Sequence, residues 1–100
     1  MEKLIPLGSI LNLNNGTHKI MIIGRGVQAE IDGEMRRFDY SGCIYPLGML
    51  SAEMVYFNAE NIAEVIFEGY TDDDEEKFQA FYDEVSTHED VQAIPRGTVG

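Results

Sequence analysis

The sequence predicts an α+β fold in one domain: a small, strongly bent antiparallel β-sheet, a short helical turn before the last strand, and a C-terminal amphipathic helix. Three observations predict it. Short apolar runs are split by Asn-Gly and Asp-Gly pairs, which tolerate the positive φ angles that hairpins need. Met54 to Tyr70, MVYFNAENIAEVIFEGY, reads as strand, one helical turn, strand. Phe78, Phe81, Tyr82 and Val85 recur at i, i+3, i+4 and i+7, a helical stripe.

Taken in order, Leu4 to Gly8 is an entry segment, because Pro6 cannot donate to a ladder and suits a strand start or an edge. Ser9 to Leu13 alternates as a strand. Asn14-Asn15-Gly16-Thr17 is the strongest turn in the chain. His18 to Ile23 returns with a solid apolar run, the pattern of a central strand buried on both faces. Gly24-Arg25-Gly26 is expected to break that strand, and Val27 to Ile31 to alternate after it. Asp32-Gly33 is the second hairpin signal. Met35 to Tyr45 is long for one strand, with a bulge or bend expected at Gly42. Pro46-Leu47-Gly48 is a loop.

Val55, Tyr56 and Phe57 suit a half-buried pleated surface. Asn58 has the chemistry of an N-cap, its side chain accepting a backbone N–H two or three residues on, for a turn over Ala59 to Ile62 that is too short to stand alone. In the strand that follows, Val65 and Phe67 form an apolar face turned to the core, and Glu64, Ile66 and Glu68 a wetter one. A helical turn before the last strand of a five-strand meander is a feature of SH3-like barrels, so a barrel is the alternative to an open bent sheet. Thr71 to Glu76 then opens the helix, about 72–87. Asp72 and Glu75 stand at capping-box spacing, with carboxylates stacked at the positive end of the helix. Residues 1–87 thus form the domain. Residues 88–100 turn polar, with Pro95 and two glycines, and read as a loose tail.

The net charge of −11 is lopsided. Residues 1–50 carry five basic and five acidic side chains, whereas 51–100 carry two basic and thirteen acidic. Such a field repels phosphate backbones and attracts a basic partner. No run of about 18 apolar residues offers a membrane span. Met1 to Pro6 does not read as a signal peptide, since its apolar run is short and Pro6 interrupts it. One cysteine precludes a disulfide within the chain and fits a reducing compartment, so the expected location is cytoplasmic.

No catalytic constellation is visible. Gly24-Arg25-Gly26 lacks the third glycine and the following helix of a dinucleotide loop. The acids of Thr71 to Glu76 are contiguous, unlike the spaced ligands of a calcium loop, and read as a solvated cap. Cys43 lies among Gly42, Ile44 and Tyr45, and the only imidazoles, His18 and His88, belong to a turn and the tail. No metal or cofactor site is expected. Arg36 and Arg37 face opposite sides of a strand and are expected to pair with Glu34 and Asp39.

Three segments together resemble one family: IPLGSILNLNNGTHKIMIIGR from Ile5, FDYSGCIYPLG from Phe38, and YFNAENIAEVIFEGYTDDDEEKF from Tyr56. They are similar to the bacterial domain-of-unknown-function family numbered 4176, over about Ile5 to Val85. Members often lie near genes of the type VII secretion system and its LXG-type toxins. The resemblance implies a small non-catalytic cytoplasmic accessory protein, an adaptor or chaperone for a toxin or another secretion component. Alternatives are an immunity protein, whose acidic surface masks a basic toxin, and a small-barrel RNA-cleaving toxin, for which Lys19, Arg25, Arg36 and Arg37 are the available cations. The expected partner is a protein, basic or an amphipathic helix, with no nucleic acid or membrane and with the oligomeric state left open. Exposed aromatics and acids mark the expected contact surface: Asp39, Tyr40, Tyr45, Tyr70, Asp73, Asp74, Phe78 and Tyr82.

Overall fold

The computed structural model describes residues 3–98. The first two residues of the segment tested as a leader, and the last two of the predicted tail, lie outside the described residues. The strands are β1 (Ile10–Leu13), β2 (Lys19–Ile31), β3 (Glu34–Tyr45), β4 (Val55–Phe57) and β5 (Ile62–Phe67). A 3₁₀ turn, Ala59–Asn61, precedes β5, and α1 (Asp73–Ser86) and α2 (Glu89–Gln92) follow it. All strand pairs are antiparallel, in the order β4-β3-β2-β1-β5. The α+β class, the helical turn before the last strand and the C-terminal helix are as the sequence predicts.

The barrel is not formed. Closure requires the end strands to meet, and β4 and β5 stand at opposite ends of an open sheet. Strand β4 is only three residues long. The edge of β3 beside it is occupied by the chain's own C-terminal segment, described below.

Strands β2 and β3 form one long ribbon, from the Lys19–Tyr45 pair to the Ile31–Glu34 pair. Asp32 and Gly33 close it as a two-residue turn at φ of 52° and 83°, positive at both positions as a type I′ turn requires. Asn14 to His18, the turn that looked stronger, is a five-residue loop in which Asn15 takes the positive φ. Gly24-Arg25-Gly26 does not end β2. The register slips between Ile22 and Gly24, opposite Gly42 and Ser41, so the extra residue sits in β2 rather than at Gly42 in β3. A bulge bends a strand without ending it.

One cluster forms the core: Leu4, Leu11, Ile20, Ile22, Tyr40 and Phe57, with Phe78 and Tyr82 of α1 packed against it. The Tyr40 and Phe57 rings stack with centroids 5.4 Å apart. The entry segment is strapped down at both of its neighbours. Leu4 N–H donates to Gln79 Oε1 (3.0 Å), Gln79 Nε2 donates to Leu4 O (2.9 Å), and Ile5 N–H donates to Tyr40 Oη (3.0 Å).

Two expectations fail in the second half of the chain. Ala63 to Phe67 are exposed, so the Val65 face is not core. Strand β5 is outermost, and Val65 stands opposite buried Leu11 at the end of the sheet. The polar stretch from His88 is not a loose tail over the described residues. After α2 it runs along β3: Arg37 N–H donates to Pro95 O and Gly97 N–H to Arg37 O, both at 2.9 Å. Gly97 is buried against the Phe38 ring, leaving no room for a Cβ. Composition could not reveal this, because the docking depends on a free β3 edge beside β4.

Candidate functional site

A buried ion pair fixes α1 to the sheet. Asp72 caps the helix, its Oδ1 accepting from Glu75 N–H at 3.1 Å. The second half of the predicted capping box is missing, because the Glu75 carboxylate turns to Arg25. Arg25 Nη1 and Nη2 reach Glu75 Oε2 and Oε1 at 2.6 and 2.8 Å, a bidentate fork. The side chains are 4% and 14% exposed. The guanidinium lies 4.2 Å from the Phe78 ring centroid, and Gln79 Nε2 donates to Glu75 Oε2 at 2.8 Å. The hydrogen bonds from Arg25 hold the Glu75 carboxyl below the usual carboxylate range, against the opposing effect of burial. Next to Arg25, Gly26 takes φ of 60° and lies so close under Tyr82 that a Cβ would meet the ring. Burial pushes the Tyr82 phenol up, with a smaller push from Asp39.

A second network joins β3, the 3₁₀ turn and the C-terminal segment. Asp39 Oδ2 accepts from Ala59 N–H and from Arg96 Nη2, both at 2.9 Å, and Arg96 Nη2 also reaches Glu60 Oε1 at 3.0 Å. Buried Asn58 stands at the N-cap of the 3₁₀ turn as predicted, and its side chain also ties down the neighbouring elements. Its Oδ1 accepts from Asp39 N–H and its Nδ2 donates to Gly97 O, each at 2.9 Å, while Asn61 Oδ1 accepts from Asn58 N–H. Arg36 pairs with Glu34 as expected. Arg37 does not pair with Asp39; its Nε donates to Ile94 O at 2.7 Å, and Arg96 takes the aspartate instead.

The eight residues read as a contact surface divide among three places. Tyr40 is in the core, 2% exposed, and burial pushes its phenol up. It therefore offers almost no surface to a partner. Asp39, the edge of Tyr40 and Tyr82 line a cleft of about 340 Å³, with Arg37 and Arg96 also on its wall. Tyr45 stands apart at the end of β3, exposed. Where the chain leaves β5 and enters α1, Tyr70, Asp74 and Phe78 line one groove and Asp73 lines another. Two grooves flank that corner. One, about 520 Å³, is lined by Leu7, Ile23, Tyr70, Asp72, Asp74 and Phe78 among others. The other, about 670 Å³, has Leu4, Ile5, Pro6 and Val65 as its apolar part and Glu68, Asp72, Asp73 and Glu76 as its acidic part, with Lys3 its one cation. Tyr70 is 81% exposed on the groove that Asp72 and Asp74 also line, and Phe67 is 60% exposed nearby in sequence. This corner is the candidate site.

Sequence reasoning passed over Gln79, and gave Arg25, Glu75 and Asn58 only local roles, in a turn, a capping box and an N-cap, without their long-range partners. The one available signal was an arginine between two glycines beside a strand of apolar residues. Phe81, read as part of the docked stripe, is 61% exposed, so the inward face of α1 is carried by Phe78, Tyr82 and Val85. Cys43 is buried, whereas His18 is exposed beyond the Lys19–Tyr45 pair. Among the described residues no three His, Cys, Asp or Glu side chains are grouped to hold a metal ion. No helix among them is long and apolar enough to cross a membrane.

A family model described as Domain of unknown function (DUF4176) matches residues 4–78, from strapped Leu4 through all five strands to Phe78 under Arg25. Searches of curated proteins and of solved structures returned no significant match.

Proposed function

This chain belongs to the DUF4176 family, and from that premise we propose that it is a non-catalytic accessory protein acting in the cytoplasm, an adaptor or chaperone that binds a type VII secretion-associated toxin or another secretion component. The observation that carries the reading is the corner at Tyr70. An aromatic ring 81% exposed on a groove that Asp72 and Asp74 also line is a surface suited to a macromolecule bearing apolar and basic groups. The RNA-cleaving alternative has weaker support. Arg25 is buried on Glu75, Arg36 pairs with Glu34, and Arg37 is bound to the C-terminal segment, which leaves Lys19 of the four cations it would need.

The test is co-expression with each product of the flanking genes. The proposal expects one of them to co-purify in fixed ratio, with the pair weakening at about 0.5 M salt, where exposed charges are screened within a few ångströms. Deletion of the gene is expected to lower export of the bound protein. Protection of cells from a toxin with export unchanged would replace the chaperone reading with immunity, and a chain that purifies alone from every co-expression would end both.

A further inference from the structure

The geometry points to the face around Leu7, Phe67 and Tyr70 as the docking surface for an amphipathic, lysine- or arginine-flanked helix of a different protein. This inference rests on the adaptor reading and specifies where and how such a partner would bind. Leu7, Phe67 and Tyr70 are all exposed. Leu7 and Tyr70 border the same groove, with Ile23 and Phe78 deeper in it. Phe67 is paired with Ile10, three residues along the chain from Leu7.

The charge of the surroundings selects the partner. Between Arg37 and Lys77 the sequence holds ten acidic residues and no basic one. Glu64, Glu68, Asp72 and Asp74 border the apolar face in sequence, and Arg25, the cation of the groove, is already neutralised by Glu75. A second copy would bring another −11 against the same carboxylates, so a basic partner of another kind is favoured.

The shape of β5 selects how the partner binds. An outermost strand is ordinarily a template for an added strand. Here the β1–β5 register slips twice, between Ile10 and Leu11 and between Asn12 and Leu13. Each slip leaves an extra residue in β5. Bulges and a charged Glu64 blunt an edge against strand addition. The remaining mode is side-chain docking: apolar residues of a helix on Tyr70, Leu7 and Phe67, with its basic residues at the bordering carboxylates.

Two synthetic peptides of roughly eighteen residues and identical Leu/Lys composition test this on the full chain, one patterned at helical period and one alternating at strand period. Fluorescence anisotropy measures binding, and amide chemical shifts locate it. The helical-period peptide should bind more tightly, shifting residues near Leu7, Phe67 and Tyr70. Tyr70→Ala and the pair Glu68→Lys/Asp74→Lys should each weaken it at least about tenfold. These residues are exposed, and circular dichroism checks that the variants fold. Equal binding of the two peptides, unchanged affinity in Tyr70→Ala, shifts confined to the loop at Leu47 to Leu50, or self-association of the chain through this face would each overturn the inference. A native partner that binds Tyr70→Ala as well as wild type would also overturn it while leaving the adaptor reading intact. Absence of any native partner would instead remove the adaptor reading.

Discussion

Replacing Glu75 by alanine should be among the most damaging single changes available on α1. The cost comes from the partner left behind. Arg25 is 4% exposed, with its fork on Glu75, its plane over Phe78, and its Nε already without a hydrogen-bond partner. Removing one side of a buried pair strands the other charge at roughly 3–5 kcal/mol. A domain of this size has about 5–15 kcal/mol in total. The reciprocal change, Arg25→Met, should cost less, because Glu75 is nearer the surface at the first turn of α1 and can rehydrate, while methionine keeps an apolar stem over Phe78. The double variant Arg25→Met/Glu75→Ala should be more stable than Glu75→Ala alone, since no unpaired charge remains. Urea unfolding followed by circular dichroism is the assay. With a slope near 1–3 kcal/mol per molar, the Glu75→Ala midpoint should fall by roughly 1–5 M. The pair also sets a pH dependence. The folded-state pKa of Glu75 is lowered, so its contribution is complete above the unfolded value of about 4.3 and is lost as pH falls through the folded value. Glu75→Gln should therefore flatten the stability curve below about pH 5. A midpoint shift under about 0.5 M for Glu75→Ala, or a double variant weaker than that single one, would refute the reasoning.

Gly26→Ala forces a side chain into the left-handed region and into the Tyr82 ring; a loss of at least about 1–2 kcal/mol is expected in thermal unfolding, with α1 the element that loosens. Asn58→Leu orphans Asp39 N–H and Gly97 O at roughly 1–3 kcal/mol each, and hydrogen exchange should show the C-terminal segment released from β3. Arg96→Ala touches two carboxylates but is 41% exposed, so about 0–1 kcal/mol is expected, a melting shift of a few degrees at most.

Local chemistry was legible in this sequence and cross-chain chemistry was not. The Asp72 cap, the 3₁₀ turn at Ala59–Asn61 and the Asp32-Gly33 hairpin each depend on residues a few positions apart. So does the acidic run at Asp72 to Asp74 that opens α1. Arg25 with Glu75, Asn58 with Gly97, and Leu4 with Gln79 depend on residues brought together only by the finished topology. Periodicity also failed where it had no means of counting neighbours. Val65 and Phe67 alternate like a half-buried strand, yet β5 is outermost and no layer covers it. Tyr40 looked like a surface aromatic beside Asp39 because nothing in its flanks announces that its hydroxyl receives Ile5 N–H.

The strap between Leu4 and Gln79 imposes an order on biosynthesis. The ribbon of β2 and β3 joins neighbours in sequence and can pair while translation continues, whereas the Leu4 backbone waits for a glutamine 75 residues later. Until that glutamine leaves the ribosome, the Leu4 end of the nascent chain has no partner on α1, and its solubility in that interval rests on the charge of whatever has already emerged.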